Sequence, residues 1–291
     1  MTSAVNGLEE RFTKHEGRRL RYLTGGSGPP LLLCHGFIGA AENFDDWFDV
    51  LLTRRTVIAP DLPGFGRSAP LAGGHTVPAL ARAALTAAAD AGADRFDVGG
   101  LCLGSPIALA IQRARPQATG RLILHTPLVA PALVRRRFHI QVGFMLAPGV
   151  YPGIVWLAHQ RTTSDLYKRF MVEGKDVDPV AAQLNFENQL LSDPRAAREW
   201  LHDALRRDDL AQVRGSGHAT LILVAEHDRI VNVPRLEAAM AGVHDVSMDV
   251  IRQAGHAWSP ELSRRQRELI GAFLDDLPLP AAGTGGAVVA A

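Results

Sequence analysis

A cysteine occupies the centre of a turn whose spacing is typical of a catalytic nucleophile. Gly100-Leu101-Cys102-Leu103-Gly104 has the pattern G-x-S-x-G, with sulfur in place of the serine oxygen. Small residues two positions to either side let the backbone turn sharply between a strand and a helix, which lifts the central side chain out of the fold. A thiol at that point can attack a carbonyl carbon and hold an acyl group covalently. We therefore predict that Cys102 is a nucleophile rather than a small core residue.

The predicted elements around this turn alternate between strands and helices. The segment 94–98 leads into the turn as a strand, and short apolar runs predict further buried strands at 30–34, 56–59, 121–125, 220–224 and 246–250. Two antiparallel strands are expected within 10–24. Helical patterns separate most of the strands, at 76–91, 105–115, 234–242 and 260–277. This alternation predicts an α/β fold with a mostly parallel sheet flanked by helices.

The alternation breaks between residues 130 and 215. This segment is rich in helix formers and bulky side chains and contains no convincing strand, so we predict a helical cap inserted between two strands. Longer crossover helices without a cap are the alternative. The predicted divisions are a first core part at 1–129, the cap at 130–215, a second core part at 216–277, and a disordered Pro/Gly/Ala-rich tail at 278–291.

Composition limits the partners and the compartment that we expect for the protein. The 291 residues are 47% apolar and 21% charged, and the net charge of +1 gives no global reason to expect nucleic acid or a membrane as a partner. The N-terminus lacks the pattern of a signal peptide, and no run approaches the ~20 apolar residues of a membrane span. Cys34 and Cys102 are too few for a disulfide scaffold, and Cys34 is expected to pack in the core. We expect a cytoplasmic protein without metal or cofactor.

Four separated motifs resemble the α/β-hydrolase superfamily across residues 10–275. The motifs, each following a predicted strand, are His35-Gly36-Phe37, Asp61–Ser68, the cysteine turn, and the pair Ala225–Val231 and Ala254–Ala257. The pattern looks like the capped variant of this fold that is seen in epoxide hydrolases, cofactor-independent haloperoxidases and iminopeptidases. Epoxide hydrolases have an aspartate where Cys102 stands, so the resemblance does not extend to their chemistry.

The resemblance implies a catalytic triad in the chain order nucleophile, acid, histidine, which matches Cys102, Asp228 and His256. His256 would accept the thiol proton and later return a proton to the leaving group or take one from a second substrate. Asp228 would orient the imidazole and stabilise its charged form, with Glu226 as the alternative acid. A helix N-terminus and a neighbouring histidine would both favour the thiolate form of Cys102.

The same resemblance assigns two oxyanion donors and a set of pocket candidates. The donors would be the backbone amides of Leu103, directly after the nucleophile, and of Phe37. His35 would brace the loop that carries the second donor. The residues expected to line or shape the substrate pocket are His35, Phe144, Trp156, Trp200 and Trp258.

A thiol at position 102 limits the reactions that we expect the protein to catalyse. A thioester on Cys102 would stay reactive toward amines and alcohols, and would be nearly isoenergetic with thioesters of acyl carrier proteins and coenzyme A. A cap that excludes water would then favour transfer over hydrolysis. The cysteine-bearing members that the turn resembles are dienelactone hydrolases, the longer polyhydroxyalkanoate synthases, and small acyltransferases and thioesterases of antibiotic and polyketide pathways. Chain length, cap and thiol favour the last group, so we expect an acyltransferase of secondary metabolism.

Three alternatives stay open at this point. The protein could be an ester, thioester or lactone hydrolase with a cysteine nucleophile, and Cys102 could be a substituted serine in such a hydrolase. It could also be a non-catalytic ligand receptor, against which the full set of triad residues argues. Arginines at 135–137, 206 and 207 within the predicted cap could dock an acidic carrier protein or the phosphates of coenzyme A, or could form a solvated helix face.

Overall fold

A mostly parallel sheet forms the centre of the protein, whose computed structural model describes residues 4–5, 7–147, 149–158, 179–256 and 259–280. Within those residues the sheet has nine strands, ordered β1-β2-β3-β5-β4-β6-β7-β8-β9. Strands β4 to β9 are mutually parallel, and β1 to β3 are antiparallel at one edge. Their bounds are β1 Ala4–Val5, β2 Leu8–His15, β3 Arg18–Gly26, β4 Pro30–Cys34, β5 Thr56–Pro60, β6 Phe96–Leu101, β7 Thr119–His125, β8 Thr220–Ala225 and β9 Val246–Ile251. The predicted α/β fold is confirmed.

Strand β4 shows why an uninterrupted apolar run suits the centre of this sheet. Successive side chains of a strand point to opposite faces. Leu31 and Leu33 accordingly belong to the apolar cluster on one face, and Leu32 and Cys34 to the cluster on the other. All four side chains are fully buried. Both faces of the strand are therefore core, as expected for a parallel sheet covered by helices on either side.

Helices cover the two faces of the sheet. Helices α2, α3 and α9 contribute to the cluster that contains Cys34, whereas α1 and α10 contribute to the opposite one. The bounds of these helices are α1 Asp45–Leu51, α2 Val77–Asp90, α3 Gly104–Ala114, α9 Val233–Met240 and α10 Pro260–Leu274. Four of the five coincide with predicted helices to within a few residues, and α1 lies in a segment where the sequence pattern predicted none.

The described part of the segment between β7 and β8 is helical. It contains α4 Arg136–Met145, α5 Val150–Ala158, α6 Pro179–Leu190, α7 Pro194–Ala204 and α8 Leu210–Arg214, and no strand among its described residues. The predicted cap coincides with these helices, and its limits at 130 and 215 stay a prediction, as do the divisions of the core. Residues 159–178 of the cap and 281–291 of the predicted tail lie outside the described residues.

Helix α7 is bound to the loops that follow β5. The amide of Asp193 donates to the carbonyl of Gly64 at 2.7 Å. The Glu199 carboxylate accepts from the backbone amide of His75 at 2.9 Å and from its ring Nδ1 at 2.8 Å. The Asp203 carboxylate accepts from the amide of Val77 at 2.8 Å, which satisfies an N–H in the first turn of α2. These bonds fix the inner face of α7 against the core.

Gly64 allows this close approach, and its replacement tests the contact. Its φ of +89° is in the left-handed region, and a Cβ would collide with the Cβ of Ala196 on α7. We expect Gly64→Ala to lower the free energy of unfolding by about 1–3 kcal/mol, from backbone strain and displacement of α7. Gly73→Ala is the control, because a Cβ at Gly73 meets nothing within 4 Å. Urea unfolding measures both, and equal midpoints for the two variants would contradict this account.

Candidate active site

Cys102 stands in a strained turn between β6 and α3. Its φ is +49°, in the left-handed region that side-chain-bearing residues rarely occupy. A Cβ on Gly100 would lie 2.7 Å from the carbonyl oxygen of Gly104, and a Cβ on Gly104 would collide with the carbonyl oxygen of Cys34. Backbone bonds hold the turn, with the Cys102 amide donating to the His125 carbonyl at 2.8 Å. The two glycines of the motif are therefore steric requirements of this turn.

Asp228 and His256 meet at the same edge of the sheet. Asp228 follows β8 and His256 follows β9, so parallel strands bring both to the carboxyl end of the sheet, where β6 presents Cys102. His256 Nδ1 lies 2.8 Å from Asp228 Oδ2. The His256 ring also faces the side chain of Cys102. The structure thus brings the three residues of the predicted triad to one edge of the sheet, and their catalytic roles stay a prediction.

The charges of this pair stabilise each other. Burial alone would lower the pKa of His256, but the Asp228 charge and hydrogen bond raise that pKa well above its usual value. Burial likewise opposes ionisation of Asp228, yet His256 holds the pKa of this carboxyl below its usual value. The second carboxylate oxygen, Oδ1, accepts from the amides of Ile230 and Val231, both at 2.7 Å. An ionised Asp228 facing a protonated His256 follows from these contacts.

The alternative acid is placed elsewhere. The Glu226 side chain is exposed and accepts from the amide of Gln253 at 3.0 Å. Its described ion pair is with His227, at 3.8 Å, and not with His256. Asp228 is therefore the carboxylate that contacts His256.

The loop that carries Phe37 lies against the nucleophile turn. A Cβ on Gly36 would be 3.5 Å from the Cβ of Cys102 and 3.3 Å from the carbonyl oxygen of Leu101. The amides of Phe37 and Leu103 donate no hydrogen bond to any of the described residues. Both predicted oxyanion donors are thus on segments that adjoin Cys102, with their N–H groups available to an incoming oxygen.

His35 braces this loop from behind and does not line a pocket, which corrects part of the expectation for it. The ring is fully buried, its Nε2 accepts from the amide of Leu62 at 2.9 Å, and its Nδ1 donates to the carbonyl of Gly36 at 2.8 Å. Burial lowers the pKa of His35 to about 4, so the ring is neutral near pH 7. With both nitrogens bonded to backbone, His35 holds the loop in place as the resemblance implied.

The other pocket candidates divide into buried, exposed and undescribed residues. Trp200 is fully buried, and its ring centroid lies 6.3 Å from that of Phe37 and 6.0 Å from that of His35. Trp200 therefore packs behind the oxyanion loop. Phe144 and Trp156 are 66% and 62% exposed. The assignment of these two residues to the substrate pocket stays a prediction. Trp258 lies outside the described residues.

A buried ionic network supports the far end of the oxyanion loop, and the sequence analysis missed it. The fully buried guanidinium of Arg21 donates to Glu42 at 2.6 Å and to Asp61 at 3.1 Å. Asp61 in turn accepts from the amide of Ala41 at 2.9 Å and from that of Arg67 at 2.8 Å. Burial raises the pKa of Asp61 to about 6 against the opposing charge of Arg21. Asp61 begins one of the motifs that carry the resemblance, and its carboxylate ties the turn after β5 to the oxyanion loop.

His125 is a second residue that sequence reasoning did not single out. It ends β7, between the strands that carry Cys102 and Asp228. Burial, followed by the charge of His256, lowers the pKa of His125 to about 3, so the ring is neutral beside the charged pair. The apolar pattern that predicts this strand does not indicate that its last residue, His125, lies beside the Asp228–His256 pair. Among the described residues, no group of three or more His, Cys, Asp or Glu side chains is arranged to hold a metal ion.

Comparison with known proteins identifies the family. The model of the α/β-hydrolase fold matches residues 29–257, and the chain belongs to that family. An esterase from Thermogutta terrifontis superposes with a TM-score of 0.72 at 22% identity, covering 92% of this chain and 98% of the esterase. An esterase from Rhodococcus gives 0.74 at 17% identity, covering 94% and 100%. The protein is an enzyme of the α/β-hydrolase superfamily.

Curated relatives also match by sequence, and two of them illustrate the range. The polyketide synthase ThaQ of Burkholderia thailandensis is 28% identical over 280 residues, which is 93% of this chain and 13% of the synthase. A haloalkane dehalogenase of Mycobacterium tuberculosis is 28% identical over 175 residues, 53% of this chain and 61% of the dehalogenase. The chain thus spans less than two thirds of either relative. In the described residues no helix is long and apolar enough to cross a membrane.

Titration of His256 tests the Asp228–His256 pair. We expect Asp228→Asn to lower the pKa of His256, because the charge that raises it is removed. Histidine NMR titration, with the signal assigned by its loss in His256→Ala, measures the change. Glu226→Gln is the matched control and should leave the titration unchanged.

The same pair predicts a pH dependence of stability. Since the folded pKa of His256 is raised, its stabilising contribution is complete below the unfolded value of about 6.5 and is lost as pH rises through the folded pKa. The stability difference between wild type and Asp228→Asn should therefore shrink at high pH. A His256 pKa that is the same in both proteins would contradict the pairing.

Proposed function

We propose that the protein is an acyltransferase that takes an acyl group from a thioester donor onto Cys102 and passes it to a second substrate. The observation that carries this proposal is the Cys102 thiol in its strained turn, facing a His256 ring that is paired with Asp228. A carrier protein or coenzyme A is the donor class, because both present acyl groups as thioesters. The setting that we infer is secondary metabolism, in the cytoplasm.

In the starting state of the first half-reaction His256 already holds the thiol proton, and the Cys102 Sγ thiolate attacks the thioester carbonyl carbon. The amides of Phe37 and Leu103 stabilise the oxyanion that forms. Collapse of this intermediate breaks the bond to the donor sulfur, which leaves with the proton from His256. In the second half-reaction an alcohol or amine attacks the acyl-Cys102 thioester and gives its proton to His256. The Cys102 sulfur is then released as a thiolate beside the protonated His256 ring, which restores the starting state.

The energetics of sulfur favour this sequence. One thioester is exchanged for another in the first step, so the step is close to thermoneutral and the donor's activation is retained on Cys102. The likeness to a polyketide synthase supports a place in secondary metabolism. Both cysteines are free thiols, which fits a reducing compartment.

Hydrolysis of an ester, thioester or lactone is the second candidate function. The His256 side chain is 27% exposed, which would let water approach the acyl group that the ring serves. Water would then replace the alcohol or amine in the second half-reaction. A serine-to-cysteine substitution in such a hydrolase belongs to the same alternative. The Asp228–His256 pair beside the Cys102 turn argues against a receptor without catalysis.

Intact mass spectrometry tests the covalent step. Incubation with a small acyl thioester, such as an acyl N-acetylcysteamine, should add one acyl mass to wild type and none to Cys102→Ala. Cys34→Ala is the control, because Cys34 is fully buried and burial raises the pKa of its thiol. Ester or thioester cleavage that persists in Cys102→Ala would contradict the proposal.

The variant Cys102→Ser separates transfer from hydrolysis. If acyl transfer is the native reaction, Cys102→Ser should lose transfer to an added amine or alcohol, because an oxygen ester is less reactive than a thioester. A large gain of hydrolytic activity in Cys102→Ser would instead indicate a hydrolase whose serine has been replaced. Product ratios by liquid chromatography measure both outcomes.

The arginines that could bind an acyl donor differ in their exposure and in their contacts. Arg136 and Arg137, at the start of α4, are exposed, as is Arg206, whereas Arg207 pairs with Asp209 at 3.2 Å. Arg135 is bonded to backbone carbonyls, as described below. Arg136 and Arg137 are the residues that we propose to contact an acidic carrier protein.

Neutralising these two arginines tests the contact. Arg136→Gln with Arg137→Gln should raise KM for a carrier-bound substrate about tenfold, since exposed ion pairs contribute up to about 1 kcal/mol each. KM for the small thioester should not change. The double variant Arg95→Gln with Arg115→Gln, at exposed positions before β6 and after α3, is the control. An equal effect on both substrates would count against docking at this site.

A further inference from the structure

The residues that lead from β7 into α4 run alongside the loop that holds Asp228. Val134 forms an antiparallel bridge with Val231. The amide of Asn232 donates to the carbonyl of Leu133 at 2.7 Å, and the amide of Arg135 donates to the carbonyl of Ile230 at 2.8 Å. The start of the predicted cap is therefore paired with the acid loop through its backbone.

The side chain of Arg135 adds a second connection to the same loop. Its Nε donates to the carbonyl oxygen of Asp228 at 2.9 Å and to that of Val231 at 3.1 Å. These carbonyls mark the two ends of a turn whose interior is held by the Asp228 carboxylate, through the amides of Ile230 and Val231. The turn is thus fixed from within by its own carboxylate and from outside by one arginine nitrogen.

Further bonds hold the segment from which Arg135 projects. His139 Nε2 lies 3.1 Å from the carbonyl oxygen of Pro131. The Arg235 guanidinium donates to the carbonyl of Ala132 at 3.1 Å. Arg135 is therefore anchored by its backbone on one side and precedes α4 directly on the other, so the position of α4 and that of the acid loop are linked.

We propose that Arg135 is a positioning residue that holds the Asp228 loop through two carbonyls and so couples the first helix of the cap to the Asp228–His256 pair. Arg135 touches neither the Cys102 sulfur nor the His256 ring in the bonds that it makes. It acts through Asp228, whose Oδ2 must lie at hydrogen-bond distance from His256 Nδ1 for the ring to be oriented and charged. The role of Asp228 in catalysis rests on the proposed function.

Two substitutions separate the hydrogen bond of Arg135 from its bulk. In Arg135→Met the terminal methyl group lies as many bonds from Cα as Nε does in arginine. In Arg135→Gln the amide nitrogen lies at that same point and can still donate a hydrogen bond. We expect Arg135→Met to slow acylation of Cys102 by between about tenfold and a hundredfold, the range for a misplaced catalytic group. Arg135→Gln should restore much of the rate, and KM for a small thioester should stay near that of wild type.

The titration of His256 is a readout that a purely structural role would not change. The titratable groups that face His256 are Asp228, Cys102 and His125. His125 stays neutral across the range, with its pKa near 3. In Arg135→Met the pKa of His256, measured by NMR and as the acidic limb of the acylation rate, should fall toward its usual value. Arg136→Met is the control, because Arg136 is exposed and adjoins Arg135 in sequence.

The outcomes of this experiment are distinct. The proposed role of the hydrogen bond would be overturned if Arg135→Met acylates and titrates at His256 as wild type does. It would also be overturned if the Met and Gln variants are equally impaired. If circular dichroism shows that Arg135→Met does not fold, Arg135→Lys replaces it as the test variant. The lysine nitrogen lies one bond farther from Cα than the arginine Nε that contacts both carbonyls. Wild-type behaviour of Arg135→Lys in both assays would then overturn the role. If wild type forms no acyl adduct, the proposed function fails, while the His256 titration still tests Arg135.

Discussion

The left-handed backbone of Cys102 is the constraint on which the rest of the site depends. A residue with a side chain holds φ +49° here because its neighbours two positions away lack a Cβ, and the carbonyl of Cys34 fills the space beside Gly104. The same close packing brings Gly36 against the turn, so the loop that carries Phe37 and the Cys102 turn are positioned by one contact. A larger residue at either glycine would displace both. The position of the Cys102 side chain is therefore set by the junction of β4, β6 and α3.

Electrostatics then gives the three histidines near this turn different roles. Burial lowers the pKa of His35 to about 4 and that of His125 to about 3, and both rings are neutral. His256 is partly exposed and faces Asp228, whose charge raises the pKa of the ring. One imidazole out of three is thus able to hold and return a proton near neutral pH, which is the property that acid–base catalysis requires.

Much of the fold could be predicted from the sequence, and so could the meeting of Cys102, Asp228 and His256 at one edge of the sheet, because both depend on local patterns. Apolar runs mark buried strands, and Cys102, Asp228 and His256 each follow such a run. Helix α1 was missed because seven residues are too few to show a helical period. The Arg21–Glu42–Asp61 network was missed for a different reason. Its members are far apart in sequence, and charged residues carry no signal of which carboxylate they will meet.

The sequence predicts helices in residues 130–215, but it does not predict which of their side chains point inward. Phe144 and Trp156 are large and apolar, and nothing local distinguishes them from Trp200, which is fully buried. Arg135 and Arg136 are likewise identical by type. Only the pairing of residues 133–135 with the acid loop turns the first inward to two carbonyls and leaves the second exposed. Long-range contacts decide these roles.

The central claim is that one acyl group is held on one sulfur before it is transferred. A rapid-mixing experiment with an acyl thioester of a chromogenic aromatic thiol tests this most directly, because donor release is followed by absorbance. The account predicts a burst of one thiol per protein molecule, followed by a slower steady rate that rises with an added amine while the burst amplitude stays fixed. Release without a burst, or a burst that survives in Cys102→Ala, would contradict it.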